Sequence, residues 1–323
     1  MRQVLNPTAE QPTNPKITSR VSRGSTTRQG FTIVELLVVI SIIAILLSVV
    51  SVGIVQAGKT ARQTKSLSNL KQIAAAWTQY ANQNDDRAMI GYMDDAVQAA
   101  LKIKVRDRDG NRVDPQFCRT YPYRLLPFLD HDRSLMYDYL ADYEQTSEIP
   151  PAEIAANPAF GYNAYYLGGW WTTDSASNQP RMRFSGTGYY KTQGQLVERQ
   201  EMVARSLSQI QRPSDMIVFG SSFTAQPGIY KNPDELARGG AWIVPHRRGM
   251  TDMWVPSDGQ GSGALQVLVP ECVPLRRIKA TVPTVRADLS TSAQGLRDLM
   301  DQSRWMNNAG YSDDTILFSH PEN

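Results

Sequence analysis

Few residues in this chain have the types and spacing that chemistry needs. Asp107, Asp109, Asn111 and Asp114 place four oxygen-bearing side chains close together, the hard-donor set that calcium takes, but the distant Glu of a complete calcium loop is missing. A solvated hairpin is the competing reading, and Asp252 with Asp258, flanking a Gly-rich loop, repeats the pattern more sparsely. His246, followed by Arg247 and Arg248, has acid-base and anion-binding character. No nucleophile motif, phosphate loop or His-Glu-x-x-His accompanies it, so it reads as a surface turn. Gly259, Gly261 and Gly263 lack dinucleotide spacing and read as a loop. His131, His246 and His320 are scattered, and Cys118 and Cys272 are too few for a disulfide scaffold and wrongly spaced for zinc, although a bridge between the two stays open. The expectation is no catalytic residue, no metal and no cofactor.

The carboxylate with the least ordinary setting is Glu35. It stands at the head of Leu36–Gly58, 23 residues with no charge before Lys59, long enough to cross about 30 Å of hydrocarbon as a helix. A secretory signal peptide shares the basic lead and the apolar run, with Val55-Gln56-Ala57 as its cleavage site, but the run exceeds the usual ~7–15 residues. Flanking charge does not orient the helix, because Lys16, Arg20, Arg23 and Arg28 face Lys59, Arg62, Lys65 and Lys71 across it. The large portion that follows an export-like segment puts the N-terminus inside and the body outside.

Gly30-Phe31-Thr32-Ile33-Val34-Glu35-Leu36-Leu37-Val38-Val39-Ile40 resembles the processing signature of type IV prepilins and type II secretion pseudopilins. The resemblance implies cleavage after Gly30 by a prepilin peptidase and N-methylation of Phe31. It also implies that Glu35 pairs with a neighbouring subunit's N-terminal amine during filament assembly. An unpaired carboxylate at the bilayer edge is costly, which makes such a partner physically sensible. Two departures from the family pattern are a long leader of 30 residues and Gly53 in place of the frequent proline along the apolar run.

The elements that would carry this signature follow. Leu67, Leu70, Ile73, Ala74, Trp77, Tyr80 and Ala81 recur at helical spacing, and Asn82-Gln83-Asn84-Asp85-Asp86 supplies a stop. The pattern predicts one helix from Phe31 to about Asn84, its first half in membrane or filament and its second packed on the body. Beyond it, Ile103–Val105 with an Asp-Gly turn, Met216–Gly220, Ala241–Val244 and Ala264–Val269 read as strands. Helices are expected around 195–210 and from near Ser290 and Ser292 through Leu296, Leu299 and Met300 to Trp305. No internal repeat is present.

Tyr121-Pro122-Tyr123-Arg124-Leu125-Leu126-Pro127, Phe160-Gly161-Tyr162-Asn163 with Gly168-Gly169, and Ser214-Asp215-Met216-Ile217-Val218-Phe219 are similar to the large bacterial pseudopilin-like branch. That branch often ends in a His, nine residues, then Asp-Gly; here eleven residues separate His246 from Asp258-Gly259. Tyr165, Tyr166, Trp170, Trp171, Tyr189 and Tyr190 form an aromatic stretch that would fill a core or stack on sugars.

Over 323 residues the chain is 41% hydrophobic and 20% charged, an ordinary globular composition. Its net charge of +3 divides into +4 on residues 1–30 and −1 on the remainder, which predicts no nucleic-acid partner. The expected fold class is α+β and pilin-like, with a leader over 1–30, a spine helix over 31–85 that spans the membrane at about 36–58, and a head over 86–323 with a mainly antiparallel sheet. The expected role is a structural subunit, not an enzyme, in a type IV pilus or type II secretion-type filament. Its implied partners are prepilin peptidase, other pilin subunits, the membrane and, indirectly, an assembly ATPase and platform protein. It would sit once through the inner membrane, N-terminus cytoplasmic. The alternatives are a membrane-anchored carbohydrate- or surface-binding module, tested at Trp170 and Trp171, and an exported enzyme starting at Gly58.

Overall fold

The computed structural model describes residues 31–137, 149–182, 189–192, 195–198, 203–224, 239–243, 272–273, 281–299 and 301–307. It forms two units divided between Gly53 and Ile54. The fold class is α+β, a long apolar helix followed by a head of short helices and small sheets. The helix, α1, runs Ile33–Gln83 without a proline and continues through Gly53, so the glycine breaks nothing. Asp85 and Asp86, both left-handed at φ 54° and 65°, end it, with the Asp86 N–H returning to the Ala81 carbonyl at 2.9 Å.

In the second unit, α1 buries Leu70, Ile73, Ala74, Trp77 and Ala81 completely, the three- and four-residue spacing that the sequence carries. The Trp77 Nε1–H donates to the Tyr162 hydroxyl at 3.1 Å, which itself donates to the Met89 carbonyl at 3.0 Å. Tyr162 also packs with Phe219 at 5.0 Å between ring centroids, and Phe219 meets Tyr121 edge-on at 5.1 Å. These aromatic residues lock the helix to the main sheet, because each ring both removes apolar surface from water and spends its polar tip on a defined partner.

That sheet has four antiparallel strands in the order β11-β10-β7-β2: β2 is Phe160–Tyr162, β7 Ile217–Ser221, β10 Val282–Arg286 and β11 Thr291–Gln294. β7 is buried along its whole length, as its apolar sequence requires of an inner strand. A second sheet joins β1 (Tyr92–Met93), β3 (Trp170–Thr173) and β4 (Pro180–Met182), with β1 and β3 parallel, and β8 (Phe223–Thr224) pairs antiparallel with β9 (Cys272–Val273). Gly168, at φ 70°, turns the chain into β3 where a Cβ would run into the Met89 carbonyl. Four short helices belong to the head among the described residues: α2 (Asp95–Ala100), α3 (Tyr121–Leu125), α4 (Pro151–Ala156) and α5 (Leu296–Leu299).

Several local expectations need correction. The helix expected around 195–210 is absent where the chain is described: β6 (Gln195–Glu198) pairs with β5 (Tyr189–Thr192), and Leu167↔Ala204 and Arg87↔Ser206 are isolated bridges. Extended pairing overrode a weak helical period there, and only Leu207–Gln209 forms a 3-10 turn. The helix placed from Ser290 begins instead at Leu296, since Thr291–Gln294 is claimed by the sheet edge as β11. Ile103–Val105 forms no strand; its Asp-Gly turn closes through a single Arg106↔Arg112 bridge. Of Ala241–Val244, Trp242 makes one parallel bridge to Tyr162, Val244 lies outside the described residues, and so does all of Ala264–Val269.

Candidate functional site

The start of α1 is built by two side chains. The Thr32 N–H and Thr32 Oγ1–H both donate to Glu35 Oε2 at 2.9 Å, and the Glu35 N–H donates back to Thr32 Oγ1 at 3.3 Å. This is a reciprocal capping box, and it satisfies backbone donors that a helix N-terminus otherwise leaves bare. It also fixes the carboxylate one turn from Phe31, whose side chain is 76% exposed. Glu35 Oε1 accepts no hydrogen bond among the described residues, so one oxygen of an exposed carboxylate faces outward beside the positive end of the helix dipole. Thr32 is a residue that the sequence reading passed over. The signal was present, because Thr-Ile-Val-Glu before an apolar run is the capping-box spacing.

Below this cap the helix exposes almost pure hydrocarbon. The exposed large apolar side chains of residues 31–54 keep between 46% and 82% of their surface uncovered. Its few hydroxyls do not disturb that surface: Ser41, Ser48 and Ser51 donate to the carbonyls of Leu37, Ile45 and Leu47, each at 2.7 Å. With these hydroxyls turned onto its own backbone, the helical segment beyond the cap meets the condition for lying in lipid or against other helices. Among the described residues it belongs to one helix long and apolar enough to cross a membrane.

The other candidates resolve differently. Asp107 Oδ1 is spent on the N–H groups of Asp109 and Asn111, and Asp114 caps a 3-10 turn through the Gln116 N–H. Among the described residues, no three His, Cys, Asp or Glu side chains gather as a metal would require. Trp170 stacks on Tyr92 at 4.2 Å and 12° and on Tyr165 at 4.8 Å and 13°. Tyr92 and Tyr165 form no ring pair with each other, so they cover opposite faces of the indole, and Trp242 meets it edge-on at 5.2 Å. The Trp171 Nε1–H is held by the Gly168 carbonyl at 2.9 Å. Trp170 is therefore packing material, with no face left for a sugar. Cys118 is a free, buried thiol whose pKa is pushed up to about 11 by burial. Gly30, His246, Arg247, Arg248, Asp252, Asp258, Gly259, Gly261, Gly263 and His320 lie outside the described residues, as do the side chains of Tyr189, Tyr190 and Cys272.

Comparison with known proteins gives one match. Residues 26–51 match the prokaryotic N-terminal methylation motif, the type IV prepilin-like signature. No curated protein and no solved structure matches the chain. The matched stretch contains the capping box and most of the exposed apolar surface, and it favours a structural subunit over an enzyme.

Proposed function

We propose that this chain is a filament subunit made as a precursor, cut between Gly30 and Phe31, anchored once in the membrane by α1 and then assembled through that helix into a type IV pilus or type II secretion-type filament. The methylation motif supports a type IV pilin- or pseudopilin-like precursor, and the apolar helix fits a single-pass membrane anchor. The observation that carries the reading further is the free Glu35 oxygen at the head of an apolar run that holds no other charge before Lys59.

A carboxylate taken into hydrocarbon costs several kcal/mol unless it meets a positive partner. Cleavage after Gly30 creates an amine at Phe31, and a neighbouring copy's amine supplies the missing charge at Glu35 as the helices exchange lipid contacts for protein contacts. In this reading Thr32 holds one carboxylate oxygen and leaves the other for the amine. The N-terminus faces the cytoplasm and the head lies outside. Prepilin peptidase, an assembly ATPase with its platform protein, and other pilin subunits are the partners.

The test compares two variants in the native membrane. Glu35→Gln keeps an oxygen for the cap but removes the charge, so the chain is processed to an N-methylated Phe31 and stays out of filaments. Thr32→Ala keeps the charge and loses the cap, at about 1 kcal/mol of helix stability, and still assembles. A mature start at Gly58, or filament incorporation of Glu35→Gln equal to wild type, refutes the reading.

A further inference from the structure

One feature of the head shares no residue with the capped, apolar start of α1. A cleft of about 450 Å³ lies between residues 106–109 of the Asp-Gly hairpin and the stretch from Tyr123 to Arg133. Its size is within the range of small-molecule sites, about 300–1,000 Å³. Tyr123 and Leu126 contribute the apolar lining. Tyr123 is 5% exposed, its ring packs on Phe117 at 6.0 Å, and its hydroxyl makes no hydrogen bond among the described residues. Burial pushes the Tyr123 pKa up, and the positive charge of Arg133 partly offsets that shift.

Charges of both signs line the cleft without pairing. Arg108, Arg133, Asp109 and Asp130 all border it, and none of the four makes a side-chain hydrogen bond or ion pair among the described residues. Asp107 and Asp132 are instead turned onto backbone N–H groups, of Asp109 and Asn111 in one case and of Ser134 in the other. Asp130 and His131 stand consecutively in the left-handed region, at φ 49° and 57°, a backbone arrangement that such residues hold only when their surroundings fix it.

The balance of charge limits what this cleft can hold. Three arginines face four aspartates, so neither a simple anion nor a simple cation is attracted as such. No three carboxylates converge on a metal position among the described residues. Uncommitted donors (Arg108, Arg133) and uncommitted acceptors (Asp109, Asp130) share the lining with Tyr123, whose hydroxyl can do either. A hydroxyl group both donates and accepts, and vicinal hydroxyls match a lining that mixes donors with acceptors, while the Tyr123 and Leu126 side chains suit the C–H face of a ring. We infer that this cleft binds a neutral polyhydroxylated ligand, a carbohydrate residue. The inference stands on the head alone and does not depend on the filament reading.

The test uses the full chain in a detergent without a sugar headgroup, titrated calorimetrically with D-glucose, D-galactose, D-mannose and N-acetyl-D-glucosamine. At least one binds saturably at one site. Tyr123→Phe, which keeps the ring, and Asp130→Asn, which tolerates the left-handed backbone, each raise Kd about tenfold or more at unchanged thermal stability. No binding of any of the four sugars at millimolar concentration overturns the inference, as does equal binding by wild type and both variants. Citrate competing as well as sugar overturns it in favour of an anion site. A changed self-association of Arg108→Asp in sedimentation, with no sugar bound, overturns it in favour of a second copy of this chain.

Discussion

Replacing Tyr162 by Phe removes one oxygen from the centre of the head and should be felt far more than its size suggests. The hydroxyl accepts from Trp77 Nε1 at 3.1 Å and donates to the Met89 carbonyl at 3.0 Å, and both Tyr162 and Trp77 are fully buried. Without it, a buried N–H and a buried C=O lose their partner, and neither can turn to water. Leaving a buried group unsatisfied costs about 1–3 kcal/mol. Two such groups, partly relieved by relaxation, give about 3 kcal/mol of destabilisation. For a domain of this size that is a fall in Tm of about 6–12 °C. The assay is thermal unfolding of the detergent-solubilised chain, followed by near-ultraviolet circular dichroism. The control is the double-mutant cycle with Trp77→Phe, which deletes the stranded donor. The Tyr162→Phe change should then cost at least about 1 kcal/mol less in the Trp77→Phe background than alone. A Tm fall below about 2 °C, or strictly additive effects, would refute the claim that this hydrogen-bond chain joins α1 to the head.

Two further outcomes follow from single residues. Gly168→Ala forces a side chain into the left-handed region at φ 70° and against the Met89 carbonyl, so it should cost at least about 1–2 kcal/mol, whereas the same change at exposed Gly110, where nothing stands near, should cost only the backbone strain; chemical denaturation of the two variants checks the order. Cys118 should resist maleimide in the folded protein at neutral pH and react once the chain is unfolded, measured in a Cys272→Ser background. Its raised pKa, about 11, favours the neutral thiol in the folded state, so this contribution to stability is complete below the pKa of an unfolded thiol, about 8.5, and is lost as pH rises through about 11. Tm falling with pH over that window in the Cys272→Ser protein, and falling less when Cys118 is also replaced by Ala, is the expected result.

The long helix was legible because its determinants are local. An uncharged apolar run, a second half with 3.6-residue periodicity and a polar stop together predict a helix ending near Asn84, and α1 ends at Gln83. That Glu35 stands in the first turn of this helix follows from the same contiguous residues. Its cap could have been read from Thr32 and was not. The head was read less well, because its short elements depend on partners distant in sequence: Thr291–Gln294 became a strand only because β10 lies beside it, and the 203–206 stretch was extended by bridges to Arg87 and Leu167.

What the sequence determined by itself, then, is the part of this protein whose interactions are made within one turn of helix or with a uniform apolar medium. A run of leucine, isoleucine and valine needs no particular partner to be committed to a membrane or a filament core, and a capping box closes within four residues. What only the tertiary structure decided is the use of side chains that had two plausible fates. Trp170 is sandwiched by Tyr92, far upstream, and by Tyr165, which turns an apparent sugar platform into core. The unpaired charges of Arg108, Asp109, Asp130 and Arg133 share one cleft because the chain folds two separate segments together. Periodicity records which face a residue occupies; it carries no record of which distant face will meet it, and in the head that meeting assigns each polar and aromatic group its role.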